Sequence, residues 1–353
     1  MKNGDKEFLE LLEKYSGYYS KMKTQMDYME SRQSQYIFVE GSRDKLIDMY
    51  PEMDFKNISD SDLRKIKQVW FREDIVEPLL DSFDEDTKKL LENIWVGHLP
   101  VPQLNARCRY VPNTKTPVIA FYDLLFGVLS FHAESHYIAH QLNEIDPKLC
   151  DFFVDYHYKV IIDIFNGKRR TIPCYNLPRH IKTSSSLLAC AQEIFLLAHE
   201  YAHIYLNHLD TVSSFNPVDG SINIKEYCFS KQREFEADLQ AIRWIINFRN
   251  RISNTDKENI LMITKNISLV VELFFLFYAI ELNCNITSET HPKSKERLQY
   301  IYENIKNELS EYEIMSFEQM FNCMELCCKF RDFEITEEME EIVTVAVENL
   351  NYE

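Results

Sequence analysis

Residues 184–208 read Ser-Ser-Ser-Leu-Leu-Ala-Cys-Ala-Gln-Glu-Ile-Phe-Leu-Leu-Ala-His-Glu-Tyr-Ala-His-Ile-Tyr-Leu-Asn-His. The stretch is apolar and free of Gly and Pro. It predicts a long helix over 186–208, with Ser184–Ser186 offering N-caps. Within it, His199-Glu200-Tyr201-Ala202-His203 forms an HExxH pattern. Residues four apart share a helical face, so both imidazoles can meet one ion. Glu200 is turned about 100° away by the 3.6-residue turn, which aims it at water held by the ion. Two ligands and a general base are what metal-assisted peptide hydrolysis requires. The flanks Ile194–Ala198 and Ile204–Leu206 are uncharged. The helix is therefore expected to be partly buried, where histidines need partners.

A carboxylate pair follows in Glu234-Phe235-Glu236-Ala237-Asp238. Glu234 and Asp238 again share a face. Glu234 would complete a His2Glu zinc site that keeps a fourth position for water. Asp238 would accept the free ring N–H of a ligand histidine. Glu236 points another way and is expected to be solvated.

These motifs, with Thr290-His291-Pro292 and Arg297 downstream, resemble the gluzincin metallopeptidases. The HtpX and CAAX prenyl protease group is similar in HExxH, ExxxD and a later HPxxxxR. The likeness is greater to the phage-exclusion protein Lit family. It lies in the apolar run into HExxH, the acidic helix Arg233–Ile245 and the segment Thr290–Leu298. It covers roughly 187–300. The resemblance implies a zinc peptidase acting inside the cell on a protein or peptide substrate, with phage defence as its setting. It implies His199, His203 and Glu234 as zinc ligands. Glu200 would take a proton from water and then protonate the leaving amine. His291 or Tyr201 would stabilise the oxyanion. Arg297 would partner Asp238 or Glu236.

Composition agrees with a helix-rich chain. Gly is 7 and Pro 11 of 353 residues, too few for the many turns of an all-β sandwich or barrel. The expected class is mainly α (α+β), with a zincin-like core and a small sheet. The expected organisation is a helical region over 1–183, a metallopeptidase core over 184–310 and an acidic helical tail over 311–353. Helices are predicted over 5–38, 60–95 (one or two, with Ser59 and Ser61 as caps and Asp84 opening a second), 122–143, 148–166, 231–249 and 258–282. Another is predicted from His291, capped by Thr290. Residues 97–118 hold five Pro or Gly and predict a loop with a short strand, with Pro117–Phe121 as an extended edge segment. Asn166-Gly167 forms a C-cap pair.

A net charge of −17 argues against nucleic acid, and Lys168-Arg169-Arg170 reads as a solvated turn. Nine cysteines without a disulfide framework, and a charged N-terminal stretch, suggest the reducing cytoplasm. Ile267–Ile280 is apolar but short and interrupted by Glu272, so it reads as a core helix, not a membrane span. His132, His136 and His140 recur at helical spacing, as one face of an amphipathic helix or a second metal site. Cys323, Cys327 and Cys328 read as core thiols. His98, His157, His180 and His208 show no partners. The competing classes are a helical sensor or interaction protein with a structural or vestigial metal, in which Glu200 has no role, and a hydrolase of non-peptide amides.

Overall fold

The computed structural model describes residues 75–99, 106–110, 117–169, 172–211, 230–252, 267–284, 286, 292–326 and 333–350. The expected helix over 5–38, the Ser59 and Ser61 caps, Arg170, Thr290, His291, Cys327 and Cys328 lie outside these residues.

Two short helices lead in, α1 (Glu77–Asp81) and α2 (Glu85–Leu91). Asp84 opens α2 by accepting from the Thr87 N–H at 2.9 Å, a side-chain N-cap. Three strands follow: β1 (Trp95–Leu99), β2 (Ala106–Tyr110) and β3 (Pro117–Tyr122). Their order is β1-β3-β2, parallel for β1–β3 and antiparallel for β2–β3, with Cys108 opposite Ile119. The expected edge segment is therefore the central strand. The two strands beside it are short and interleaved with His98, Arg107 and Arg109, which hides them among the prolines.

The rest is helical, so the described chain is mainly α with some β. Helices α3 (Asp123–Ile145) and α4 (Pro147–Phe165) pack as neighbours. Helix α4 ends at Asn166, and Gly167 adopts φ +68°, the left-handed conformation that glycine takes without penalty. Helix α5 (Arg179–Tyr205) carries HExxH and starts seven residues earlier than expected, behind Pro178. Ser184–Ser186 lie inside it, and Ser185 Oγ donates to the Lys182 carbonyl at 3.0 Å. Ile181, Ser185 and Leu188 carry its buried face back toward Pro178, which the serines conceal in the sequence.

Every residue of α5 from Ile194 to His203 is buried. Such all-round burial belongs to a central helix, and α3, α2, β2, β3, α6 (Lys231–Ile252) and α7 (Ile267–Cys284) pack around it. Helix α7 is long and apolar enough to cross a membrane. Eight of its residues are buried within the protein, and it packs on α4, α5, α8 (Ser294–Ile305) and α9 (Glu311–Leu326).

Helix α8 starts at Ser294, so Pro292 precedes it rather than sitting in its first turn. The reason lies in the donors. Lys293 N–H finds Glu296 at 3.2 Å, and Ser294 N–H and Oγ–H find Glu281 of α7 at 2.6–3.1 Å. The last helix, α10 (Glu337–Asn349), is capped by Thr336. It is docked as well as solvated: Val343, Val347 and Leu350 are buried in the core, and Arg169 meets Glu340 at 2.7 Å. Arg169 is thus tied down where a solvated turn is expected. One apolar cluster runs from Ile75 to Leu350.

Candidate metal centre

His199 and His203 project from adjacent turns of α5 to the same spot. Their Nε2 atoms lie 3.1 Å apart. Each has an oxygen of Glu234, from the first turn of α6, at 3.6 Å. All three side chains are buried. Two donors, each about 2.0–2.1 Å from one ion at the tetrahedral angle, stand about 3.3–3.4 Å apart. The Nε2–Nε2 separation of 3.1 Å is close to that spacing, the 3.6 Å contacts run from His199 to Oε2 and from His203 to Oε1 of Glu234, and one donor atom from each of the three residues lies within 4.8 Å of the others. Two nitrogens and a carboxylate are a donor set that suits zinc. The cluster is the one three-ligand group of His, Cys, Asp or Glu found among the described residues.

The outer nitrogens of both histidines are also engaged. Asp238 Oδ1 lies 2.9 Å from His199 Nδ1. Asp238 is in turn gripped by Arg297 of α8, through Nε to Oδ2 and Nη2 to Oδ1, both at 2.6 Å. Arg297 therefore sits on Asp238 rather than on Glu236. The guanidinium also rests 5.5 Å from the Phe274 ring, a cation–π contact. On the other side, His203 Nδ1 meets His208 Nδ1 at 2.9 Å, and His208 Nε2 meets Glu236 at 3.3 Å. Glu236 is half-exposed, but it has a partner. His208, with no partner visible in the sequence, is part of the site.

Charge and burial shape the protonation states. Burial works against a charged His199, but the Asp238 hydrogen bond and the Asp238 and Glu234 carboxylates outweigh it and raise its pKa. Burial holds His203 well below the usual histidine range, and neighbouring His199 and His208 push the same way. Burial opposes an ionised Asp238, yet Arg297 overrides it and keeps the carboxyl below its ordinary value.

Glu200 is buried too, and burial raises its pKa. His199 and a hydrogen bond from Cys108 pull back, while Glu234 adds to the rise. Cys108 comes from β2, so the sheet lies over the HExxH helix at Glu200. Burial pushes the Cys108 thiol well up, and Glu200 adds to it. Nothing in the Cys108 neighbourhood of the sequence signals this contact. Tyr201 is fully buried with its ring edge-on to Phe83 at 6.3 Å.

The other histidine face does not converge. His140 is exposed and His136 points toward Glu272 at 3.9 Å. His132 turns inward instead, placing Nδ1 3.1 Å from His157 Nε2 of α4. This buried pair is not part of the His199, His203 and Glu234 group. His180 is exposed, and Cys323 is an exposed thiol rather than a core one.

Residues 180–317 match the family model described as Peptidase U49. The matched stretch contains all of the cluster: His199, Glu200, His203, His208, Glu234, Glu236, Asp238 and Arg297. The match supports a peptidase, a class whose substrates are proteins or peptides. No curated protein and no solved structure matches the chain.

Proposed function

We propose that this chain is a zinc-dependent peptidase that hydrolyses a peptide bond in an intracellular protein, with phage defence as its setting. The observation that carries the reading is the buried triangle of His199, His203 and Glu234 with Glu200 on the same helix. The Peptidase U49 match over the same residues supports it. Free thiols at Cys108, Cys150, Cys174, Cys190, Cys284 and Cys323 support a reducing, cytoplasmic setting.

In this reading His199, His203 and Glu234 hold the ion. Zinc, when bound, supplies Lewis acidity, acidifying water and polarising a carbonyl. The chain's own work is proton handling and alignment. Glu200 takes a proton from the attacking water and delivers it to the leaving amine. Its burial suits the first half, because a carboxyl raised above its ordinary value is a stronger base toward water. Asp238 Oδ1, 2.9 Å from His199 Nδ1, would take the Nδ1 proton and leave Nε2 free for an ion, and Arg297 holds Asp238 in place. His291 is the donor proposed for the oxyanion.

The test is Glu200→Gln. Its amide cannot accept the proton, so activity on a peptide library should fall by about 10²–10⁴-fold, with zinc retained. Full activity in the variant would overturn the mechanism.

A further inference from the structure

We propose that His208 and Glu236 form a second orienting arm of the metal centre, setting the ring and tautomer of His203; this rests on the zinc reading above. The first arm is Asp238 with Arg297, acting on His199. The second comes from a chain reversal at the end of α5. Helix α5 stops at Tyr205, and Asn207 takes φ 57°. Asn is among the few residues that enter the left-handed region readily. The reversal brings His208, buried in a 3-10 turn (His208–Thr211), back onto His203.

Helix α6 then fastens the turn from the other side. Arg233 Nη1 donates to the His208 carbonyl at 3.1 Å, and Gln232 donates to Glu236 at 3.0 Å. Helix α6 thus contributes three carboxylates to one centre. Glu234 faces the ion site, Asp238 serves His199, and Glu236 serves His203 through His208.

The direction of the hydrogen bonds follows from the chemistry. A neutral imidazole has one N–H and one lone pair. If His203 turns its Nε2 lone pair to an ion, its proton sits on Nδ1. His208 Nδ1 must then accept, which leaves the His208 proton on Nε2, where Glu236 accepts it at 3.3 Å. The reverse order would set the His208 Nε2 lone pair against a carboxylate. It would also put the His203 proton on Nε2, where it occupies the lone pair that an ion needs. Glu236 therefore selects the tautomer that binds metal. His208 and Glu236 are positioning residues; neither touches the ion.

The experiment measures zinc affinity of the purified full chain by competition with a chromophoric chelator. His208→Ala should weaken zinc binding by about 10–100-fold, with the melting temperature of the metal-free protein close to wild type. In His208→Asn, the side-chain oxygen sits where Nδ1 was and still accepts from His203, so most of the affinity should return. A purely structural role would not give that rescue. Glu236→Ala, at a half-exposed position, should weaken zinc in the same direction by a smaller factor, and it serves where His208→Ala does not fold. Wild-type zinc affinity in both His208→Ala and Glu236→Ala would overturn the inference and leave the zinc site standing. Equal losses in His208→Ala and His208→Asn would overturn the tautomer role. A wild type that binds no zinc would overturn the zinc reading and this inference with it.

Discussion

Replacing Arg297 by Ala removes the partner of a fully buried carboxylate. Asp238 is 0 % exposed and Arg297 14 %. They meet through two bonds of 2.6 Å in a forked geometry that Arg alone provides. Breaking one side of such a pair costs about 3–5 kcal/mol, because the remaining charge stays buried. The unfolding entropy of a chain of 353 residues is about 0.74 kcal/mol/K at ~2.1 cal/mol/K per residue. The melting temperature of the metal-free protein should therefore fall by roughly 4–7 °C at pH 7. The sign of the pH dependence is fixed by Asp238. Its folded pKa is depressed below the ordinary 3.8, so its stabilisation is present above that value and is lost as pH falls through the folded pKa. The gap between wild type and Arg297→Ala should be widest near neutrality and close in acid. Scanning calorimetry in EDTA reads this directly. Arg297→Lys keeps the charge without the fork and should fall between the two. A shift under about 1 °C for Arg297→Ala would refute the claim that this pair secures the His199 side of the site.

Two further predictions concern regions around the site. Burial drives His132 down to about 3 and His157 well below the histidine range. Histidines kept neutral in the fold stabilise it above about pH 6.5 and lose that contribution as pH falls toward the folded pKa. Between pH 7 and 5 the loss from His132 alone is about 2 kcal/mol. The double variant His132→Phe/His157→Phe should melt with a flatter pH profile over this range; an unchanged profile in a thermal scan would contradict the assignment. Phe274 is 1 % exposed, edge-on to Phe195 at 5.4 Å and beneath Arg297. Phe274→Ala should cost about 3–5 kcal/mol in chemical denaturation, and a loss below about 1 kcal/mol would show that α7 is not packed against the HExxH helix as described.

The local spacings were the most legible part of the chain. His199 and His203 at i, i+4 and Glu234 and Asp238 at i, i+4 are geometric statements about single helices, and the fold only had to bring two helices together. Asp84 and Asn166-Gly167 are readable for the same reason, since a cap is made within a few residues. What the sequence concealed depends on contacts between distant segments. Strand β2 looks like a charged loop until β3 pairs with it, and with it the Cys108 contact to Glu200 is hidden. The start of α5 is hidden because three serines read as caps where burial of Ile181 and Ser185 keeps the helix going. His132 looks like one of a surface series, and only the packing of α3 on α4 separates it from His136 and His140. His208 left one trace, the Asn at 207, a residue suited to the reversal that returns the chain to His203.

Metal content tests the proposed zinc site of His199, His203 and Glu234 most directly. The wild type and Glu234→Ala, extensively dialysed, should be compared by elemental mass spectrometry. About one zinc per wild-type chain is expected and almost none in Glu234→Ala, with both proteins folded by circular dichroism. A folded wild type without zinc, or a Glu234→Ala variant that retains as much as wild type, would contradict it.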